Sequence, residues 1–123
     1  ANMRLKVPTV SMSAVYDGDG AHYVAHRDNV CTPQCLNSRE ITCIVYPNPG
    51  WKKSYGGQLR CYLDAEDDDA TGLTSKAPID VYPEGGRLVI FNSQKLLHEV
   101  MPAYHRRFAV SLWILGEKIV THH

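Results

Sequence analysis

Eight short runs rich in β-branched and aromatic residues, each bounded by Gly, Pro, Asn or Asp, leave this chain little choice of fold. The runs are Lys6 to Val15, Ala21 to Asp28, Ile41 to Tyr46, Gln58 to Leu63, Ile79 to Tyr82, Arg87 to Asn92, His98 to Ala103 and Arg107 to Leu115. No helical stretch separates them. The expectation is an all-β core in which eight strands close as a double-stranded β-helix, or jelly roll. A chain of 123 residues is long enough for one core and too short for two, so a single domain over 1–123 is expected.

Composition narrows the partners. Hydrophobic residues make up 44% and the formal net charge is zero. With no basic excess, nucleic acid is not an expected partner. No apolar run approaches the ~20 residues a membrane span needs, so no membrane is expected either, and the amino terminus as given has no signal-peptide pattern.

Chemistry enters with His26 and Asp28. On a strand, residues two apart project to the same side and can reach one ion together, whereas on a helix they diverge. About seventy residues on, His98 follows the apolar run Leu88-Val89-Ile90-Phe91 and is the natural closing ligand. An isolated H-x-D is common on surface strands and weak by itself. Two imidazoles and one carboxylate on one face of a metal, with other positions open, form the ligand set of non-haem Fe(II) oxygenases.

Strand periodicity adds a wall to this site. From Arg107 to Leu115 one face carries Arg107, Ala109, Ser111 and Trp113, and the other carries Phe108, Val110, Leu112 and Ile114. Thr42, Ile44 and Tyr46 likewise share one side of their run, so a hydroxyl, an apolar wall and a phenol can face the same cavity.

The text around these residues closes the comparison. The stretches Tyr23-Val24-Ala25-His26-Arg27-Asp28-Asn29, Thr42 to Tyr46, Gly56-Gly57-Gln58-Leu59-Arg60 and His98 to Trp113 resemble, in order, the catalytic core of the 2-oxoglutarate- and Fe(II)-dependent prolyl hydroxylases. The resemblance runs from about Ser13 to Leu115 and is to the intracellular oxygen-sensing type that acts on hypoxia-inducible factor. Collagen-type enzymes would carry lysine where Arg107 stands. The difference matters because a guanidinium grips a carboxylate through two parallel hydrogen bonds and an ammonium does not.

The resemblance implies that His26, Asp28 and His98 hold iron and that Arg107 binds the distal carboxylate of 2-oxoglutarate. Tyr46 would hydrogen-bond that same carboxylate, Tyr16 would line the pocket, and Thr42, Leu59, Val100 and Ser111 would complete it. Trp113 and Arg39 would stand on the substrate side. The implied enzyme is a dioxygenase that uses Fe(II), 2-oxoglutarate, O2 and ascorbate to hydroxylate a prolyl residue at C4, releasing succinate and CO2. Its partner would be a proline-containing protein or peptide, and its place the cytoplasm or the nucleus. Relatives usually brace the roll with an amino-terminal helical layer, which this chain is expected to lack or to carry truncated. Two other readings stay open: a related oxygenase acting on another residue, a nucleobase or a small molecule, and a non-catalytic jelly-roll binding module.

Other polar groups receive plainer assignments. Cys31 and Cys35 lie in the loop after the metal pair, without a second pair at zinc spacing, and Cys43 and Cys61 read as small buried apolar groups. The acidic run Asp64 to Asp69 reads as a solvated loop. His22, His105, His122 and His123 are given no metal role.

Overall fold

Among the described residues there are nine antiparallel strands, eight on the alternating runs and one, Met3–Lys6, ahead of them. They are β1 (Met3–Lys6), β2 (Ser11–Tyr16), β3 (Ala21–His26), β4 (Arg39–Tyr46), β5 (Leu59–Tyr62), β6 (Ile79–Val81), β7 (Arg87–Asn92), β8 (Leu97–Ala103) and β9 (Arg107–Lys118). The computed structural model describes residues 3–7, 10–29, 38–63 and 77–118. The acidic run, Cys31, Cys35 and the two terminal histidines lie outside the described residues. A single 3₁₀ turn, Lys53–Tyr55, is the only helical element among the described residues, and no helix there is long and apolar enough to cross a membrane.

The strands form two sheets, one of five strands in the order β1-β9-β4-β7 with β2 also on β9, and one of four in the order β3-β8-β5-β6. This is the jelly-roll arrangement the runs implied, with one correction. The run Lys6 to Val15 yields β2, while β1 precedes it and shares only Lys6 with it; both dock on the same long partner, β2 on the first half of β9, Tyr16 opposite Arg107, and β1 on the second half, Lys6 opposite Leu115.

Register decides what faces inward. Thr42 and Ile44 of β4 stand opposite Trp113 and Ser111 of β9, so the inner positions predicted from the two periodicities meet across one ladder. Thr42, Ile44, Tyr46, Arg107, Ala109 and Ser111 are all buried, while Val45 and Phe108 between them are exposed. The second sheet contributes Leu59 and Cys61 to the core, with Val100 packed against it. Cys61 is buried as expected, and burial pushes its thiol up to about 11, whereas Cys43 is only half-buried. On the outer face of that sheet, Arg60 pairs with Asp80 at 2.9 Å and Tyr62 donates to Glu99, a polar ladder facing away from the core.

β3 carries irregularities on both sides of Tyr23: its pairing with β8 shifts between Ala21 and Tyr23 and again between Tyr23 and His26. Bulges of this kind re-aim side chains near functional sites. The strand stops at His26, and Asp28 sits in a bend beyond it rather than on the same strand as expected.

Candidate active site

His26 ends β3 and lies directly across from His98 on β8, so the sheet itself brings the two imidazoles together. Their ring centroids are 4.4 Å apart. Asp28 reaches back from its bend and places Oδ1 3.1 Å from His26 Nε2 and 3.3 Å from His98 Nε2. One ligand atom from each of the three lies within 4.8 Å of the others, close enough to share one ion.

The remaining atoms of the trio are tied down. His26 Nδ1 is 2.9 Å from the Val24 carbonyl and His98 Nδ1 is 3.0 Å from the Leu96 carbonyl. A nitrogen facing a carbonyl must carry the proton, so Nε2 is the nitrogen each ring turns to the site: protonated it donates to Asp28, and once it gives up that proton its lone pair is free for a metal. Asp28 Oδ2 accepts from the Thr42 hydroxyl at 2.7 Å and from the Trp113 indole N–H at 3.3 Å. Since Thr42 gives its one proton to Asp28, Ser93 Oγ, 2.8 Å away, donates to Thr42.

Charge follows this wiring. Burial alone would raise the Asp28 carboxyl, but hydrogen bonds from His26, His98 and Thr42 outweigh it and hold the group well below the usual carboxylate range. Burial lowers His26, but its bonds to Asp28 and the Val24 carbonyl raise it further than burial depresses it.

The trio lines a cavity of about 520 Å³ whose wall also includes Tyr16, Tyr46, Leu59, Val100, Arg107 and Ser111. Arg107 is 2% exposed, and its Nε donates to the Gly57 carbonyl at 2.7 Å. Its guanidinium carbon lies 5.1 Å from the Tyr46 ring centroid and 5.3 Å from that of Tyr16. No carboxylate among the described residues pairs with Arg107. The Tyr46 hydroxyl is likewise buried without a hydrogen-bond partner among them. Burial raises both phenols, opposed by the nearby guanidinium, and burial lowers Arg107 itself. A desolvated cation beside an unpartnered phenol is costly unless an anion completes the set. A carboxylate of 2-oxoglutarate fits these donors, and a divalent iron fits the two imidazoles and the carboxylate.

All twelve residues singled out in the sequence lie on this cavity, although some turn elsewhere than expected. The Thr42 hydroxyl is committed to Asp28 and Ser93, not to a cosubstrate. Trp113 reaches the Asp28 carboxylate while Arg39 lies over its ring at 3.9 Å. His22 is exposed, and His105 stacks on Tyr55 with centroids 4.3 Å apart.

Sequence reasoning missed Ser93, Asn29 and Asn48, all buried. Asn29 donates from its amide to the Arg39 carbonyl and from its backbone N–H to the Ser93 carbonyl, which secures the chain just after Asp28. Asn48 exchanges hydrogen bonds with the backbone of Phe108, beside Arg107. The one sequence signal for Asn48 is its place between Pro47 and Pro49, where the chain must turn.

Comparison with known proteins places this geometry. Residues 11–115 match the family model described as 2OG-Fe(II) oxygenase superfamily. The chain is 37% identical over 109 residues to a Caenorhabditis elegans hypoxia-inducible factor prolyl hydroxylase, covering 87% of this chain and 13% of the relative. It is 36% identical over 111 residues to the human prolyl hydroxylase EGLN3, covering 89% of this chain and 41% of the relative. It thus spans less than half the length of either. Among solved structures it resembles a prolyl hydroxylase from Trichoplax adhaerens in complex with a hypoxia inducible factor peptide fragment, with a TM-score of 0.72, 31% identity and coverage of 90% of this chain and 45% of that one. A Pseudomonas putida prolyl-4-hydroxylase gives a TM-score of 0.69 at 32% identity, with coverage of 85% and 51%. With the family match extending over both the His26–Asp28–His98 cluster and the buried arginine, the chain belongs to the 2OG-Fe(II) oxygenase superfamily.

Proposed function

We propose that this protein is a dioxygenase that couples oxidation of 2-oxoglutarate to hydroxylation of a prolyl residue in a protein or peptide. The observation that carries the cosubstrate half is the buried Arg107 guanidinium, unmatched by any described carboxylate, next to the unpartnered Tyr46 hydroxyl. In this reading His26, Asp28 and His98 hold the iron, and Arg107 and Tyr46 bind the far carboxylate. When bound, iron together with 2-oxoglutarate and O2 supplies the oxidising power, with succinate and CO2 as by-products and ascorbate sustaining activity.

The protein's own work is orientation and exclusion of water. The backbone carbonyls of Val24 and Leu96 fix the histidine tautomers, Thr42 and Trp113 fix the carboxylate, and Leu59, Val100 and Ser111 line the cavity around the cosubstrate. Arg39 and Trp113 stand on the side where substrate would approach. The target is read from the prolyl hydroxylases the chain resembles: a proline, oxidised at C4, in an intracellular protein of cytoplasm or nucleus. A cavity of this kind admits one side chain, so the proline must be presented by an extended segment.

The test is incubation of the protein with Fe(II), ascorbate, 2-oxoglutarate and proline-containing peptides, followed by mass spectrometry and succinate measurement. Hydroxyproline formed together with succinate is the expected result. Oxygen found only on asparagine, lysine or a nucleobase would end the prolyl reading and leave the oxygenase. Bound 2-oxoglutarate that is never turned over, with any substrate, would end both.

A further inference from the structure

Arg107 does not set its own direction. Its Nε–H is taken by the Gly57 carbonyl at 2.7 Å, which leaves the two terminal amino groups of the fork for a ligand. That carbonyl is itself held from several sides. The Gly57 N–H donates to the Pro102 carbonyl at 2.9 Å, and the Gln58 carbonyl beside it accepts from the Met101 N–H at 3.0 Å. On the other side, the Trp51 indole N–H donates to the Gly56 carbonyl at 3.1 Å. Pro102 and Met101 belong to β8, which also carries His98.

Only glycine suits these two positions. Both have φ of +68°, and a Cβ at Gly56 would sit 2.4 Å from the Pro102 oxygen. A Cβ at Gly57 would lie 3.1 Å from the Trp51 ring, 3.2 Å from Ala103 Cβ and 3.2 Å from Arg107 Cδ, so any side chain there presses on the arginine itself. We propose that Gly56 and Gly57, braced by Trp51, are the positioning element for the cosubstrate: the Gly57 carbonyl fixes the plane of the Arg107 fork and ties it to the strand that holds a metal ligand.

This inference rests on the reading of Arg107 as the 2-oxoglutarate anchor, and the experiment separates the two. 2-Oxoglutarate is titrated into the full chain loaded with Mn(II) in place of iron. If the wild-type chain fails to bind it, the anchor reading falls, and this inference with it. If the wild type binds, Gly57→Ala, whose Cβ would push the carbonyl out of line with Arg107 Nε, is expected to weaken 2-oxoglutarate by up to about tenfold, and Trp51→Phe, which removes one brace of that turn, by about threefold, the losses typical of a disturbed charge-assisted and a lost neutral hydrogen bond. Mn(II) affinity should stay unchanged in both.

The decisive reading is a double-mutant cycle with Arg107→Lys, which has no Nε–H to offer. Groups acting through one another are non-additive, so both losses should vanish in that background. Should Gly57→Ala fail to fold, Trp51→Phe decides in the same cycle. A loss that persists with lysine at 107 marks a merely structural role and overturns the proposal, as does unchanged affinity in the arginine background.

Discussion

The two ends of the cavity are built on opposite plans. At the metal end the polar atoms are given to one another: both Nδ1 positions to carbonyls, Asp28 Oδ1 to the two Nε2 atoms, and Oδ2 to Thr42 and Trp113. At the anchor end, Arg107 has one carbonyl and two aromatic rings, and the Tyr46 hydroxyl has no partner among the described residues. The first end is complete within the protein. The second is left incomplete by the protein, and on the proposed reading the cosubstrate completes it, so its substitutions should damage binding more than stability.

The harshest way to break that comparison is Asp28→Ala. The carboxylate is the one group that touches both imidazoles, so its loss should abolish turnover. It should also lower metal affinity by more than the ~10–100-fold that an outer partner of a ligand controls. A metal titration and a succinate assay check both, and full activity would remove Asp28 from the ligand set.

Arg107→Ala comes next. Leaving a carboxylate unpaired in an enclosed site costs on the order of 2–5 kcal/mol, so the 2-oxoglutarate requirement should rise more than about tenfold, with Arg107→Lys intermediate. Yet the ligand-free variant Arg107→Met should melt no lower than wild type, because it removes a desolvated cation without a described counter-ion. A calorimetric titration showing full affinity in the alanine variant would sink the anchor assignment, and a large loss of ligand-free stability in the methionine variant would sink the contrast.

How much of this was legible in the chain depends on whether the contact lies in a side-chain pattern. Alternation placed Thr42, Ile44 and Tyr46 on one wall and Arg107, Ala109 and Ser111 on the other, and residue type picked out His26, Asp28 and His98, which the fold brings together. What alternation could not give is a partner that carries no pattern. Gly57 serves Arg107 through a backbone carbonyl fifty positions away, which leaves no signature beyond the paired glycines themselves. Ser93, fifty-one positions from Thr42, stands in the turn after β7, where a serine carries no pattern. The bulges of β3 also escaped, because a period of two assumes a regular strand, and Asp28 reaches the site from a bend instead.

Thr42→Val probes the metal end more gently. It keeps the shape, removes the donor to Asp28 Oδ2 and leaves the Ser93 hydroxyl without its acceptor. Metal affinity should fall about ten- to a hundredfold, as for other outer partners of ligands, and the melting temperature should fall too, since a completed network is being opened. Unchanged metal affinity would mean that the carboxylate needs no such support.

Tyr46→Phe is the smallest change and the sharpest contrast with Thr42→Val. The hydroxyl it removes belongs to a residue 1% exposed and makes no hydrogen bond of normal geometry among the described residues, so taking it away loses only its loose interaction with the Arg107 guanidinium. An unsatisfied buried hydroxyl costs about 1–3 kcal/mol, and the ligand-free variant should therefore be as stable as wild type or more so. With 2-oxoglutarate present the sign reverses: affinity should drop by about tenfold at most, because Arg107 keeps the main grip. Burial also raises the phenol above its ordinary value of about 10, despite the opposing guanidinium, so it stays protonated and able to donate at neutral pH. Its contribution to affinity is thus present through neutral and mildly alkaline pH and is lost only as pH climbs past that raised value. Melting curves with and without cosubstrate decide the matter: a variant destabilised when empty and unaffected when loaded would show that the anchor end is built like the metal end.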